Sequence, residues 1–250
     1  IGYNAGATGQ GNNSDSTGPT GSAIAIGNQA GCYNQTYGSI AIGYQAGYTG
    51  QGDTALCSAI AIGYQAGQYS QPLGSIAIGY QAGQGNTGET GIGDGSISIG
   101  VFAGAIRQYS SAIAIGRGSG GGYYPTLLLG GATGLTGGDG ATGRQGDSAV
   151  AIGPLAGSFA QGASAIAIGL NAGVGFDYDD DSGIFTTGGQ GQSSIAIGDN
   201  AGYLGQGQST IAIGDSAGLG FITFGDTGFT GGQSENCVAI GTSAGTLGQG

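Results

Sequence analysis

The chain has 250 residues, 63 of them Gly, a net charge of -11, and no His, Met or Trp. Its only cations are Arg107, Arg117 and Arg144, too few to neutralise a nucleic-acid backbone or to form a basic patch for an anionic membrane. Charged residues make up 7% of the chain, and isoleucine recurs in a fixed pattern, so the glycine reads as turns in an ordered repeat rather than as disorder.

The chain opens inside a motif. Ile1-Gly2-Tyr3-Asn4-Ala5-Gly6 is a partial copy of I-x-I-G-x-x-A-G, as expected of a mature product or a window cut from a longer repeat. No run of 18 apolar residues follows, so no membrane-spanning helix is expected. An insertion over about 7–22 carries Asn12-Asn13-Ser14, a pattern for N-glycosylation.

Full copies begin at Ile24, Ile40, Ile60, Ile76, Ile97, Ile113, Val150, Ile166, Ile195, Ile211 and Val238, and only the copy at Ile113 departs in its second half, with Ser119 in the alanine slot. The two branched residues of I-x-I are two apart and share one side of a strand, while the small residue between them faces the other. The branched pairs are expected to supply the main buried apolar surface. Gly after I-x-I permits a sharp bend. Glycine every few residues and a period of two exclude a helix. The fold class is therefore all-β: a β-solenoid running as one continuous body over 1–250.

Successive copies lie 16, 20, 16, 21, 16, 37, 16, 29, 16 and 27 residues apart. Insertions are thus admitted in every second interval, and the repeat is organised as doublets. Each 16-residue copy carries a large apolar residue and then, two positions on, a glutamine: Gln35, Gln71, Gln108, Gln161, Gln206 and, at the chain end, Gln249. Stacked, these form an inward or half-buried amide ladder, as in cross-β assemblies. Two geometries fit, one motif per turn or one doublet per turn. Asp199 and Asp215 share a slot in successive copies, and their repulsion favours the doublet turn. Tyr44, Tyr64 and Tyr80 repeat identically, which favours the single-motif turn. The balance leans to the doublet.

Asn34-Gln35-Thr36 is a second glycosylation pattern, overlapping the ladder. Cys32 and Cys57 lie one motif apart and can meet in an oxidising compartment; small buried thiols in alanine-like slots fit equally, and Cys237 leaves an odd count for a free or interchain thiol. The insertion over about 120–148 contains six G-x-y triplets from Gly131 to Ser148, collagen-like in spacing and expected as a solvated or polyproline-II loop. The insertion over about 174–193 carries Asp177, Asp179, Asp180 and Asp181, oxygen ligands suited to Ca²⁺, although the spacing is not that of an EF-hand and a solvated acidic loop fits better. The last insertion covers about 219–236.

The unit A-I-A-I-G-x-x-A, as at Ile24-Ala25-Ile26-Gly27 and Ile166-Ala167-Ile168-Gly169, resembles the head-domain repeat of trimeric autotransporter adhesins, whose left-handed β-rolls repeat a V/I-A-I-G-x-x-S/A phrase. The G-Y-Q-A-G variant mixed with G-x-T triplets also resembles repeat proteins of giant viruses and environmental microbes.

Without His there is no triad or imidazole metal site, and without Lys no phosphate loop or Schiff base, so no enzyme is expected. The expected role is a structural subunit of an extracellular, cell-surface or virion-surface filament. Its partner would be itself, as homopolymer or homotrimer. The alternatives are an adhesin whose loops bind a glycan or surface receptor and, more distantly, a Ca²⁺-dependent or ice-binding solenoid.

Overall fold

A computed structural model describes residues 1–9, 22–51, 58–85, 93–105, 108–120, 145–158, 161–178, 185–187, 189–220 and 232–246. Among them there is no helix; the fold is a β-solenoid of stacked parallel strands. The chain divides into two compact units, Ile1–Ser119 and Gly120–Gly250.

The first unit holds β1 (Ile24–Ile26), β2 (Ile40–Ile42), β3 (Thr49–Gln51), β4 (Ile60–Ile62), β5 (Tyr69–Gln71), β6 (Ile76–Ile78), β7 (Ile97–Ile99) and β8 (Ile113–Ile115). All the I-x-I strands of this unit join in one parallel sheet, in chain order. β3 and β5 pair in parallel on the return path. The second unit stacks β9 (Val150–Ile152), β10 (Ile166–Ile168), β13 (Ile195–Ile197), β14 (Ile211–Ile213) and β15 (Val238–Ile240) in the same way. Between β10 and β13 lies an antiparallel hairpin, β11 (Phe176–Tyr178) with β12 (Phe185–Thr187).

One motif makes one turn, not two. Ile24 pairs with Ile40, Ala25 with Ala41 and Ile26 with Ile42, so consecutive copies are neighbours. The reason lies in the bends each motif contains. Within one 16-residue interval, φ is positive at Gly27 (129°), Gln29 (55°), Gly31 (52°), Asn34 (55°) and Gly38 (70°), which is enough turning to close a full circuit. The turns also sit too close for anything but glycine at their first bend. A Cβ on Gly27 would lie 2.7 Å from the carbonyl carbon of Gly43 one turn on. Asp199 and Asp215 do stand on adjacent turns, joined by the Ser216 amide donating to the Asp199 carbonyl at 2.8 Å. Both side chains are exposed, where water and salt screen the repulsion that favoured the doublet. The doublet survives as an alternation of loops, since insertions leave on every second turn.

The core is the reverse of the expected one. The middle residue of every I-x-I strand is buried, and its branched neighbours point outward, half-buried or exposed. Two columns of alanine, such as Ala41, Ala61 and Ala77 beside Ala46, Ala66 and Ala82, fill the interior with glutamine and serine. Beside the alanine columns the interior is too thin for larger groups. Even a methyl on Gly157 would meet Gln161 Oε1 at 2.6 Å and Ala151 Cβ at 3.2 Å. The branched pair of each I-x-I strand therefore takes the outer face.

Candidate functional site

Three rows of side chains repeat along the turns, and each follows from the local chain path. The first is the glutamine spine. The return path of most described turns places a glutamine side chain inward; the turn that starts at Ile76 has only Gln81 and Gln84, which bond at the corner instead. Gln35, Gln71, Gln108, Gln161 and Gln206 are all buried, as the ladder reading expects; Gln249 lies outside the described residues.

Each amide Nε2 donates to the carbonyl of the first residue of its own turn's I-x-I strand. These bonds run Gln35 to Ile24, Gln71 to Ile60, Gln108 to Ile97, Gln161 to Val150 and Gln206 to Ile195, at 2.6–3.0 Å. A buried carbonyl without a donor is costly, so the amide stabilises each turn that carries it. The spine also extends beyond the 16-residue copies. Gln51, Gln145, Gln190 and Gln233 occupy equivalent inward places, and Gln145, Gln161, Gln190, Gln206 and Gln233 bridge in that order. Counting back five residues from the next strand finds all of these except Gln51, which stands eleven after Ile40. The insertion of that turn follows the glutamine instead of preceding it.

Several amide oxygens in this interior face no donor. Oε1 of Gln35, Gln51, Gln161 and Gln206 is buried without a hydrogen-bond partner. Gln108 differs, because its turn has Ser98 rather than alanine in the middle of the strand, and Ser98 Oγ donates to Gln108 Oε1.

The second row runs along the first corner. Gln45 Nε2 donates to Gln29 Oε1 at 2.8 Å, Gln65 to Gln45 at 3.0 Å and Gln81 to Gln65 at 2.9 Å. Beside it, Tyr44, Tyr64 and Tyr80 stack with centroids 5.1 Å apart and planes 15° and 7° from parallel. In the second unit, Asn171 and Asn200 take the amide slot and bond at 3.1 Å.

The third row is the outer face of the sheet. In the first unit, two columns run Ile24, Ile40, Ile60, Ile76, Ile97, Ile113 and Ile26, Ile42, Ile62, Ile78, Ile99, Ile115, in strict register. Ile24 and Ile26, on the first strand of the sheet, retain 46% and 41% of their full exposure and Ile99 36%, while the other nine are half-buried. Neither column contains a charged or polar side chain. At about 4.8 Å per strand the face is on the order of 25 Å long. Apolar side chains scattered singly over a surface are ordinary, whereas aligned columns of them are not.

The remaining sequence-derived candidates separate. Asn34 is exposed beside the buried Gln35, and the Thr36 hydroxyl donates to the Gln51 carbonyl at 3.0 Å; Asn12 lies outside the described residues. Cys32 is a buried free thiol, Cys237 is half-buried with Sγ 3.7 Å from the Glu235 carbonyl, and Cys57 lies outside the described residues. Asp177 sits in β11 opposite Thr186, while Asp179, Asp180 and Asp181 lie outside the described residues, as does most of the stretch of G-x-y triplets. Among the described residues, no group of three or more His, Cys, Asp or Glu is placed to hold a metal ion. No helix among them is long and apolar enough to cross a membrane. No protein-family model, curated protein or solved structure matches the chain.

Proposed function

We propose that this chain is a structural subunit of an extracellular or surface filament, with copies of itself as its partner, in a homopolymer or homotrimer. The observation that carries the reading is the outward double column of isoleucine. A fold that already buries alanine and glutamine has no internal use for a dozen aligned branched side chains on its surface. Covering them with like surface removes apolar area from water at about 25 cal/mol per Å². The chain carries a charge of -11, so two copies repel except where the contact is uncharged, and this face is uncharged. Stacked parallel strands also leave unpaired edges at the ends of a solenoid, which accept further turns.

Negative-stain electron microscopy of the purified chain tests the reading. Fibres or regular bundles are expected. A field of dispersed single particles at every salt concentration contradicts it.

A further inference from the structure

The tyrosine ladder has chemistry that the assembly reading does not use. Tyr44, Tyr64 and Tyr80 occupy the same slot on three consecutive turns, and each is 41–45% exposed. Their rings lie nearly parallel at 5.1 Å. The glutamine amide row beside them fixes the register of the corner. Phe102, edge-on to Tyr80 at 5.4 Å, closes one end. The chain has 13 Tyr but no Trp, Met or His. One-electron oxidation therefore falls on phenols and on the few thiols, and Cys32 is buried.

We infer that the ladder is a modification site for oxidative phenol coupling, which staples adjacent turns covalently. The oxidant is a peroxide used by a one-electron peroxidase. Each of two neighbouring phenols loses one electron and one proton to give a phenoxyl radical. The radicals join by a carbon–carbon bond between ring positions ortho to oxygen. The two ortho hydrogens then migrate to the oxygens and restore both aromatic rings. One peroxide is reduced to two waters for each biphenol formed.

Coupling needs two radicals to meet. An isolated exposed tyrosine such as Tyr37 must find one by diffusion, whereas each ladder ring has a partner beside it at all times. Proximity of this kind raises the effective concentration of the partner by orders of magnitude. Tyr64, the middle ring, is the position on which both adjacent pairs of the ladder depend. The inference complements the structural-subunit reading, since a stapled solenoid resists unwinding, but it concerns contacts within one chain and stands or falls separately.

The test uses the full chain, mixed from isotopically heavy and light preparations and treated with hydrogen peroxide and a haem peroxidase. Dityrosine fluorescence and tandem mass spectrometry report yield and linkage, and the isotope pattern separates cross-links within a chain from those between chains. The expected products are intrachain Tyr44–Tyr64 and Tyr64–Tyr80 links, with a raised melting temperature. Tyr64→Phe keeps a stacked ring but lowers the yield of links at Tyr44 and Tyr80 at least about fivefold, because those two phenols then stand two turns apart; the Tyr33–Tyr48 pair, with centroids 5.2 Å apart, is counted separately by mass spectrometry. Tyr37→Phe leaves the yield unchanged. Circular dichroism confirms that both variants fold. Links found only at tyrosines outside the ladder, an undiminished yield of Tyr44 and Tyr80 links in Tyr64→Phe, or no intrachain link at all would each overturn the inference, whether or not the protein forms fibres.

Discussion

Ser98 Oγ donates to Gln108 Oε1 at 2.5 Å inside the solenoid. This bond supplies what four other turns lack, since Oε1 of Gln35, Gln51, Gln161 and Gln206 is buried without a partner. In those turns the middle strand residue is Ala25, Ala41, Ala151 or Ala196, all buried. Ala151→Ser should therefore stabilise the protein by about 1 kcal/mol, the net worth of one buried hydrogen bond. Ser98→Ala should cost about 1–2 kcal/mol by leaving Gln108 Oε1 unpaired. Denaturant unfolding of both variants checks the pair of signs.

Several spine amides donate to more than one oxygen. Gln51 Nε2 reaches the carbonyls of Ile40 at 2.7 Å and Ala59 at 3.1 Å, and Gln71 Oε1 at 3.3 Å. Gln51→Glu replaces that donor with a buried carboxylate facing oxygens, at a cost of about 3 kcal/mol at neutral pH. Burial raises the folded-state pKa of this new acid. Its penalty is therefore smallest below about pH 4, the ordinary glutamate value, and grows as pH rises above it. Unfolding measured at pH 4 and pH 7 should show a larger deficit at pH 7.

Leu155 adopts φ of 61° at the corner where the next two turns carry Asn171 and Asn200, both at 52°. A leucine gains nothing from the left-handed region, whereas asparagine tolerates it. Leu155→Asn also brings a third amide alongside the Asn171–Asn200 bond. The expected gain is about 0.5–1 kcal/mol, read as a higher melting temperature.

The Tyr48 phenol is pushed above its ordinary value of 10.0, chiefly by desolvation and then by its hydrogen bond with Tyr33. The folded state thus favours the neutral phenol. Its contribution is complete below about pH 10 and is lost as pH climbs through the raised value. Melting between pH 8 and pH 11 should fall more steeply for the parent chain than for Tyr48→Phe.

Much of this was legible in the sequence. The unit, its start points and the all-β solenoid follow from I-x-I-G-x-x-A-G alone, and inward glutamine from its fixed distance to the strand. Alternation along Ile24-Ala25-Ile26 defines two faces but does not say which lies inside. Interior width decides that, and it is set by how tightly Gly157, Gln161 and Ala151 pack in space. The missed glutamines have a similar cause. Counting forward from each strand loses Gln145, Gln190 and Gln233 behind their insertions, although each stands five residues before the next strand. The turn number per motif depended on Asp199 and Asp215, whose exposure makes their repulsion weak.

The isoleucine face is the centre of the functional account, and charge placed on it tests that account most directly. Ile42, Ile62 and Ile78 point outward from adjacent strands of one unit. Sedimentation velocity of the parent chain is compared with a triple variant carrying Ile42→Lys, Ile62→Lys and Ile78→Lys, alongside circular dichroism. The account predicts large assemblies for the parent and single chains for the variant, with the β spectrum of both unchanged. A variant that folds and still sediments like the parent would contradict it.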